Sequence, residues 1–402
     1  MDLNHAALAV PAFFIFLGLE FYILKRKKSI HFYKWEDSIA NVSVGVAERL
    51  LTLFISGSFY GLFTYVYDHY SLMQIPNHPL VWLGLLLFTD LVWYWYHRLG
   101  HEINILWGAH IVHHQSEEFN YTVSARITVF QALIRNLFWC VLPFVGFAPY
   151  MVLTILVVHG TYSFFTHTRM VGKLGWLEYF FITPSHHRVH HASNEHYLNK
   201  NYGDIFIFWD KLFGTFQEEK EEAVFGLTHP IKSYSFIWQH VHYFAELAEA
   251  ARRTHGWPAK LKLLFGKPEL LDQTIRTDLE KIFLPYKNTA KPTFRFKVYL
   301  TVQVVVVNLV LFFVILCYSY VSEIALFLIA GILLVSLVNC GALLEQRRWI
   351  YFVEYVRLVL IFALVGLWLG SISFFLLALM AFLLVELLLP LKTWYMRFVY
   401  DG

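Results

Sequence analysis

Three short histidine patterns crowd one stretch of this 402-residue chain: His97-Arg98-Leu99-Gly100-His101, His110-Ile111-Val112-His113-His114 and His187-Arg188-Val189-His190-His191. Eleven of the 20 histidines fall between positions 97 and 191, and their spacing says more than their number. On a helix, residues four apart sit about 40° apart and residues three apart about 60° to the other side. HxxxH and HxxHH are therefore each expected to aim every imidazole into one arc. Eight such rings, joined by His167 of Thr166-His167-Thr168, exceed the three or four ligands of a zinc site and suit two ions sharing a site. A single histidine pair at this spacing is ordinarily a surface pair. Two HxxHH combs and an HxxxH together, beside membrane spans, are not, because burying so many rings without a metal or partners is costly. His159 lies in an apolar segment where packing explains it as well as ligation, and His186, just before the third comb, is expected to face away from it if the segment is helical and to serve behind the ligands instead.

These combs need a scaffold, and the composition says which kind. The chain is 57% hydrophobic and 15% charged, against about a quarter charged in soluble domains, so it is read as a membrane protein. A formal charge of +3, without a continuous basic face, argues against a nucleic-acid partner. Cys140, Cys317 and Cys340 lie in apolar segments without ligand spacing, so neither a disulfide framework nor a thiolate site is expected. Apolar runs of about 20 residues are read at roughly 6 to 24, 42 to 66, 79 to 96, 297 to 318, 323 to 345, 349 to 369 and 371 to 390. The first is taken as a retained helix, since it lacks a leading basic patch and a cleavage site. A stretch from Ile127 to Phe165, broken at Pro143 to Pro149, reads as a helical hairpin whose arms need not cross fully. In the polar region before the late spans, Phe236, Ile237, Val241, Phe244, Leu247 and Ala248 recur at helical spacing, and apolar residues from Trp257 to Phe265 alternate with lysines. An interfacial helix pair and an amphipathic helix packed on its own domain fit these equally well.

Lys and Arg are absent from the loops around 68 to 79, 319 to 323 and 370. By the positive-inside rule the N-terminus is then outside, and the segments 97 to 126 and 166 to 294 are cytoplasmic. All three combs share that face. His97 and His101 continue directly from the span ending Trp93-Tyr94-Trp95-Tyr96, which places them just beyond the hydrocarbon, where a lipid can enter sideways. The aromatic run itself reads as an interfacial belt. Asp90 lies inside that span, where an ionisable group is a functional candidate by default, with a structural pairing to Arg135 as the plainer reading. Asp204 and Asp210 are read as supports behind the third comb or as loop caps. Four regions are expected: 1–78, N-terminal membrane helices; 79–220, the catalytic region; 221–294, an amphipathic connector; and 295–402, a four-span block. The fold class is all-α, a polytopic membrane bundle with a cytoplasmic, histidine-ligated di-metal cap.

Soluble di-iron proteins use Glu-x-x-His patterns, and none appears here. Instead Asp90-x5-Tyr96-His97-Arg98-x2-His101-Glu102, the paired HxxHH combs, Thr183-Pro184-Ser185 before the third comb, Asn201-Tyr202-Gly203 and Trp209-Asp210-Lys211-Leu212-Phe213-Gly214-Thr215-Phe216 resemble the fatty acid hydroxylase/sterol desaturase superfamily over roughly residues 80 to 220. Outside that stretch, Phe225-Gly226-Leu227-Thr228-His229-Pro230 and Leu344-Glu345-Gln346-Arg347 resemble its ether-lipid-oxidising branch. The resemblance implies two iron ions held by His97, His101, His110, His113, His114, His167, His187, His190 and His191. It also places Glu102 in the active site, where the physical role favoured is to orient a ligand histidine. An ion pair with Arg98 is the plainer alternative. Asp90 and Glu102 are the catalytic candidates.

The implied function is O2-dependent oxidation of a membrane lipid, with cleavage of a glyceryl ether as the specific expectation. Electrons would come from tetrahydrobiopterin, another reduced pterin or a separate electron-transfer protein, since no fused haem domain is visible. A sterol or fatty acid hydroxylase or desaturase is the alternative within this chemistry. A histidine-rich metal transporter is the alternative from another class, although it would spread ligands through several spans and over both faces. The membrane is expected to be the inner membrane of a bacterium or the endoplasmic reticulum of a eukaryote.

Overall fold

The computed structural model describes residues 3–284 and 291–400. The stretch 285–290 of the expected connector lies outside them. Among the described residues the chain is helical throughout, and extended pairing is limited to isolated bridges between Phe181 and Phe206 and between Ala192 and Phe225. The helices are α1 (Ala9–Arg26), α2 (Trp35–Tyr70), α3 (Pro79–Glu102), α4 (Asn104–His110), α5 (Tyr121–Ser124), α6 (Val129–Trp139), α7 (Val141–Val145), α8 (Pro149–Thr166), α9 (Pro184–His191), α10 (Phe208–Leu212), α11 (Phe236–Arg253), α12 (Trp257–Phe265), α13 (Thr274–Phe283), α14 (Phe294–Leu316), α15 (Glu323–Leu344), α16 (Ile350–Trp368), α17 (Ile372–Leu388) and α18 (Leu391–Tyr400). Six of them, α1, α2, α3, α14, α15 and α16, are long and apolar enough to cross a membrane. The chain is a multi-pass membrane protein.

Two spans differ from their sequence reading. The last is a bent pair, α17 and α18, meeting at 81°, because Pro390 cannot donate the N–H that would continue the helix. The second is longer than expected: at 36 residues, α2 is about 54 Å long, well beyond a hydrocarbon core of about 30 Å. Its excess is packed against protein. From Asp37 to Glu48 almost every residue of α2 is buried, and Ile39, Val42, Val46 and Leu50 pack with Leu300, Val304 and Leu311 of α14 and Leu333 and Leu337 of α15. The late spans thus brace the half of α2 that supports the histidines.

The apolar hairpin forms as α6–α7 and α8. Neither arm is among the six span candidates, and Val129–Val145 is short for one. Its tip is nonetheless bonded to the loop joining α2 to α3: Leu72 N–H donates to Phe144 O at 2.8 Å and Ile75 N–H to Gly146 O at 3.1 Å. Gly146 has φ +127°, and a Cβ there would sit 2.0 Å from Met73 O, so only glycine closes this turn. The motif at Glu345 has a local cause as well. Its carboxylate accepts the Ser233 hydroxyl and the N–H groups of Tyr234 and Ser235, both at 3.1 Å, and so fixes the chain entering α11.

Candidate metal centre

α3 carries His97 and His101 on successive turns, and α4 ends at His110. His113 and His114 follow in a tighter 3-10 turn, Ile111–His114. α9 presents His187, His190 and His191, entered by Thr183 and Pro184, with a capping box in which His186 accepts the Thr183 N–H. His186 therefore serves the helix start. His167 is the cap residue at the end of α8.

The nine histidines meet in two groups. His97, His101, His110, His114 and His190 form one, and His113, His167, His187 and His191 form the other, with the candidate donor atoms of each group within 4.8 Å of one another. Each HxxHH comb contributes to both groups. In both HxxHH motifs the residues four apart go to one group and the residue between them goes to the other. In α9 the 60° offset of position i+3 lets one comb reach two groups, whereas the second comb passes from the end of α4 into a 3-10 turn.

Several of the rings are oriented from behind. Nδ1 of His97 lies 2.8 Å from Tyr202 O, Nδ1 of His190 3.0 Å from Lys200 O, Nδ1 of His167 2.8 Å from Ser163 O and Nδ1 of His113 3.3 Å from Arg126 O. Only an N–H can bond to a carbonyl, so these four rings keep the Nε2 lone pair for the centre. Inside, Nε2 of His110 is 3.1 Å from that of His97 and 3.2 Å from that of His114, while Nε2 of His167 is 3.2 Å from that of His113 and 3.0 Å from that of His187. About 3 Å is the spacing of neighbouring nitrogens around an ion bound at about 2.1 Å.

Burial also sets the charge. It pushes the imidazoles of His110, His113, His114, His187, His190 and His191 well below their usual range and His167 to about 4, so these rings are neutral at pH 7. The buried Nε2 atoms of His101, His190 and His191 have no hydrogen-bond partner among the described residues, a costly state for a buried polar atom. A neutral, all-nitrogen donor set with orphaned lone pairs fits two transition-metal ions and does not fit Ca2+ or Mg2+, which take oxygen.

The two carboxylate candidates are placed elsewhere. Glu102 accepts from Arg98 Nε at 2.8 Å and, among the described residues, has no bond to a ligand histidine, so the plainer alternative is the one formed. Asp90 is fully buried, but its two oxygens accept the N–H groups of Ile205 and Phe206 at 2.9 and 3.0 Å. Arg135 instead approaches Glu48 at 3.7 Å. Beside Asp90, His159 Nδ1 is 2.8 Å from Asp204. Asp90, His159 and Asp204 thus form a knot that holds the loop after Tyr202. Asp210 supports the first comb rather than the third, through Tyr202 and Gly203, whose N–H groups it accepts at 2.7 and 2.9 Å.

Sequence reasoning missed Arg126, Glu20 and Phe119 as supports. Arg126, buried, donates to Val112 O, Asn41, Gln115 and Gln239 and braces the second comb. Glu20, inside α1, accepts the Thr168 hydroxyl, the Tyr33 hydroxyl and the Tyr121 N–H, which fixes the chain next to His167. Its depth in an apolar run was the available signal. Phe225 stacks on Phe119 at 4.8 Å, and Phe119 stacks in turn on His167 at 5.7 Å, so Phe225 covers the His167 side of the second group, while Gly226 to His229 line the approach to the histidines. A cavity of about 200 Å³ reaches His101, His114, His190 and His191 past Trp107 and Leu227.

The fatty acid hydroxylase family model matches residues 82–215. Human alkylglycerol monooxygenase is 32% identical over 362 residues, covering 87% of this chain and 80% of that protein. The Danio rerio alkylglycerol monooxygenase is 31% identical, covering 89% and 81%. The ornithine lipid hydroxylase of Rhizobium tropici is 31% identical over 151 residues, 37% of this chain and 45% of that protein. No solved structure matches the chain.

Proposed function

This chain belongs to the fatty acid hydroxylase family and is a membrane-bound lipid oxidoreductase; from that premise we propose that it is a di-iron monooxygenase that cleaves glyceryl ether lipids. The observation carrying the metal chemistry is the division of nine histidines into groups of five and four. What favours the ether lipid is the extent of likeness, which runs through 87% of the chain for human alkylglycerol monooxygenase and 37% for the ornithine lipid hydroxylase.

His97, His101, His110, His114 and His190 would hold one ion, and His113, His167, His187 and His191 the other. Bound iron would supply the reduction of O2 and the removal of hydrogen from an unactivated C–H bond. The protein holds buried rings neutral, orients four of them through the Tyr202, Lys200, Ser163 and Arg126 carbonyls, and covers His167 with the Phe119–Phe225 stack. The carbon beside the ether oxygen is the target because the oxygen lone pair stabilises the radical left there. In balance, one O2, two electrons and two protons yield a hydroxylated carbon and one water. That product is a hemiacetal, which collapses to aldehyde and glycerol. The electrons come from a reduced pterin such as tetrahydrobiopterin or from a separate electron-transfer protein. The basic segments carrying the combs favour the cytoplasmic face for the centre.

The test is aldehyde release from a 1-O-alkylglycerol by iron-loaded protein, which should require O2 and a reductant and vanish in His113→Ala. Oxidation of a sterol or fatty acyl lipid with the ether lipid untouched would replace the substrate assignment and leave the metal centre standing.

A further inference from the structure

α11 and α12 look alike in sequence, but they behave differently in the fold. α11 buries Trp238, His242, Tyr243, Glu246 and Leu247 and is an amphipathic helix packed on its own domain. α12 buries no residue at all. Trp257, Leu261 and Phe265 are 76%, 50% and 59% exposed, and their spacing of four puts them in one arc of about 80°. Three large apolar side chains in one exposed arc need a cover.

The place of α12 says what the cover is. Asn104 stands two residues beyond the end of the membrane span α3, and its side-chain amide donates to Leu263 O at 2.7 Å and Lys267 O at 3.0 Å. Its backbone N–H donates to Gly266 O at 2.9 Å, and its side-chain oxygen accepts the Tyr243 hydroxyl. The C-terminal end of α12 is thus tied to the point where a span leaves the hydrocarbon. Lysines flank the apolar arc: Lys262, Lys267 and Lys260, whose ammonium lies 5.8 Å from the Trp257 ring centre. An aromatic and aliphatic stripe bordered by lysines, at headgroup height, is the pattern of a helix lying in a membrane surface.

We propose that α12 lies in the headgroup layer of the same bilayer that the spans cross, with Trp257, Leu261 and Phe265 in the acyl boundary and the lysines on anionic lipid phosphates. Pro268, Glu269 and Leu271, which follow α12 directly, line the cavity that reaches His101 and His114. The helix therefore sets the mouth of that cavity at lipid headgroup depth. The placement holds whatever lipid the centre oxidises.

The test uses the full chain in nanodiscs containing anionic lipid, with a fluorophore on Leu261→Cys and, as an aqueous reference, on Glu195→Cys. Nitroxide placed near the headgroup end of the lipid acyl chains should quench the label at 261 several-fold more than the label at 195, and iodide should do the reverse. Equal iodide quenching at both positions would overturn the proposal by showing the stripe in water. Protection of 261 from iodide without nitroxide quenching would also overturn it, by showing a protein partner or a second copy on the stripe.

Discussion

Asp210 Oδ2 accepts the N–H of Gly203 at 2.9 Å, and the carbonyl of Tyr202, in that same peptide group, faces Nδ1 of His97 at 2.8 Å. One carboxylate thus fixes a peptide that in turn fixes a ring of the five-histidine group. The arrangement also depends on Gly203, where a Cβ would meet Phe206 O at 2.7 Å and Asp210 Oδ2 at 3.0 Å. Asp210→Asn keeps the size but weakens the acceptance, and is expected to lower affinity for one ion about 10- to 100-fold. Anaerobic dialysis against graded metal should show one of two sites lost early; two sites of unchanged affinity would remove Asp210 from the support of His97.

The splitting of the combs gives a sharper test. His190 sits in the five-histidine group and His187 in the other, although both lie on one turn of α9. Each single alanine variant should lower bound metal from about two ions per chain toward about one, and the two variants should retain different sites, distinguishable by spectroscopy of the remaining ion. The same residual spectrum from both would mean one shared site.

Arg126 is expected to govern stability more than metal identity. Its guanidinium is answered by neutral acceptors, Val112 O, Asn41, Gln115 and Gln239, and burial lowers it to about 10, so it stays charged at pH 7. Arg126→Met strands those acceptors and should cost about 3 kcal/mol or more. The carbonyl facing His113 belongs to the backbone and survives the change. Thermal unfolding in detergent should fall by several degrees, while the protein that remains folded still binds two ions.

The face assignment is tested by labelling. Gln74 and Ser319 are exposed in loops without Lys or Arg, and Glu195 is exposed just after the third comb. Cysteines at 74 and 319 should react with an impermeant reagent from outside, and one at 195 only after the membrane is opened. Labelling of all three from one side would overturn the cytoplasmic placement.

The presence of spans, the helical class and the eight histidines of the combs were legible in the sequence, because hydropathy and 3.6-residue spacing are local properties, while His167 was singled out by the family resemblance. Partners distant along the chain were not. Nothing local to Asp90 announces the N–H groups of Ile205 and Phe206, nor does Glu102 reveal locally whether it will turn to Arg98 or to a histidine. His110 and His113 read as one comb, yet the α-helix ends at His110 and a 3-10 turn carries the rest. Which ring joins which group followed from packing α3, α4, α8 and α9 against one another. The sequence by itself determined that many imidazoles would be carried to one end of a membrane bundle. Only the tertiary structure decided how they divide and what holds them, since both depend on backbone groups that the fold brings together from more than a hundred residues apart, as it does His97 and Tyr202.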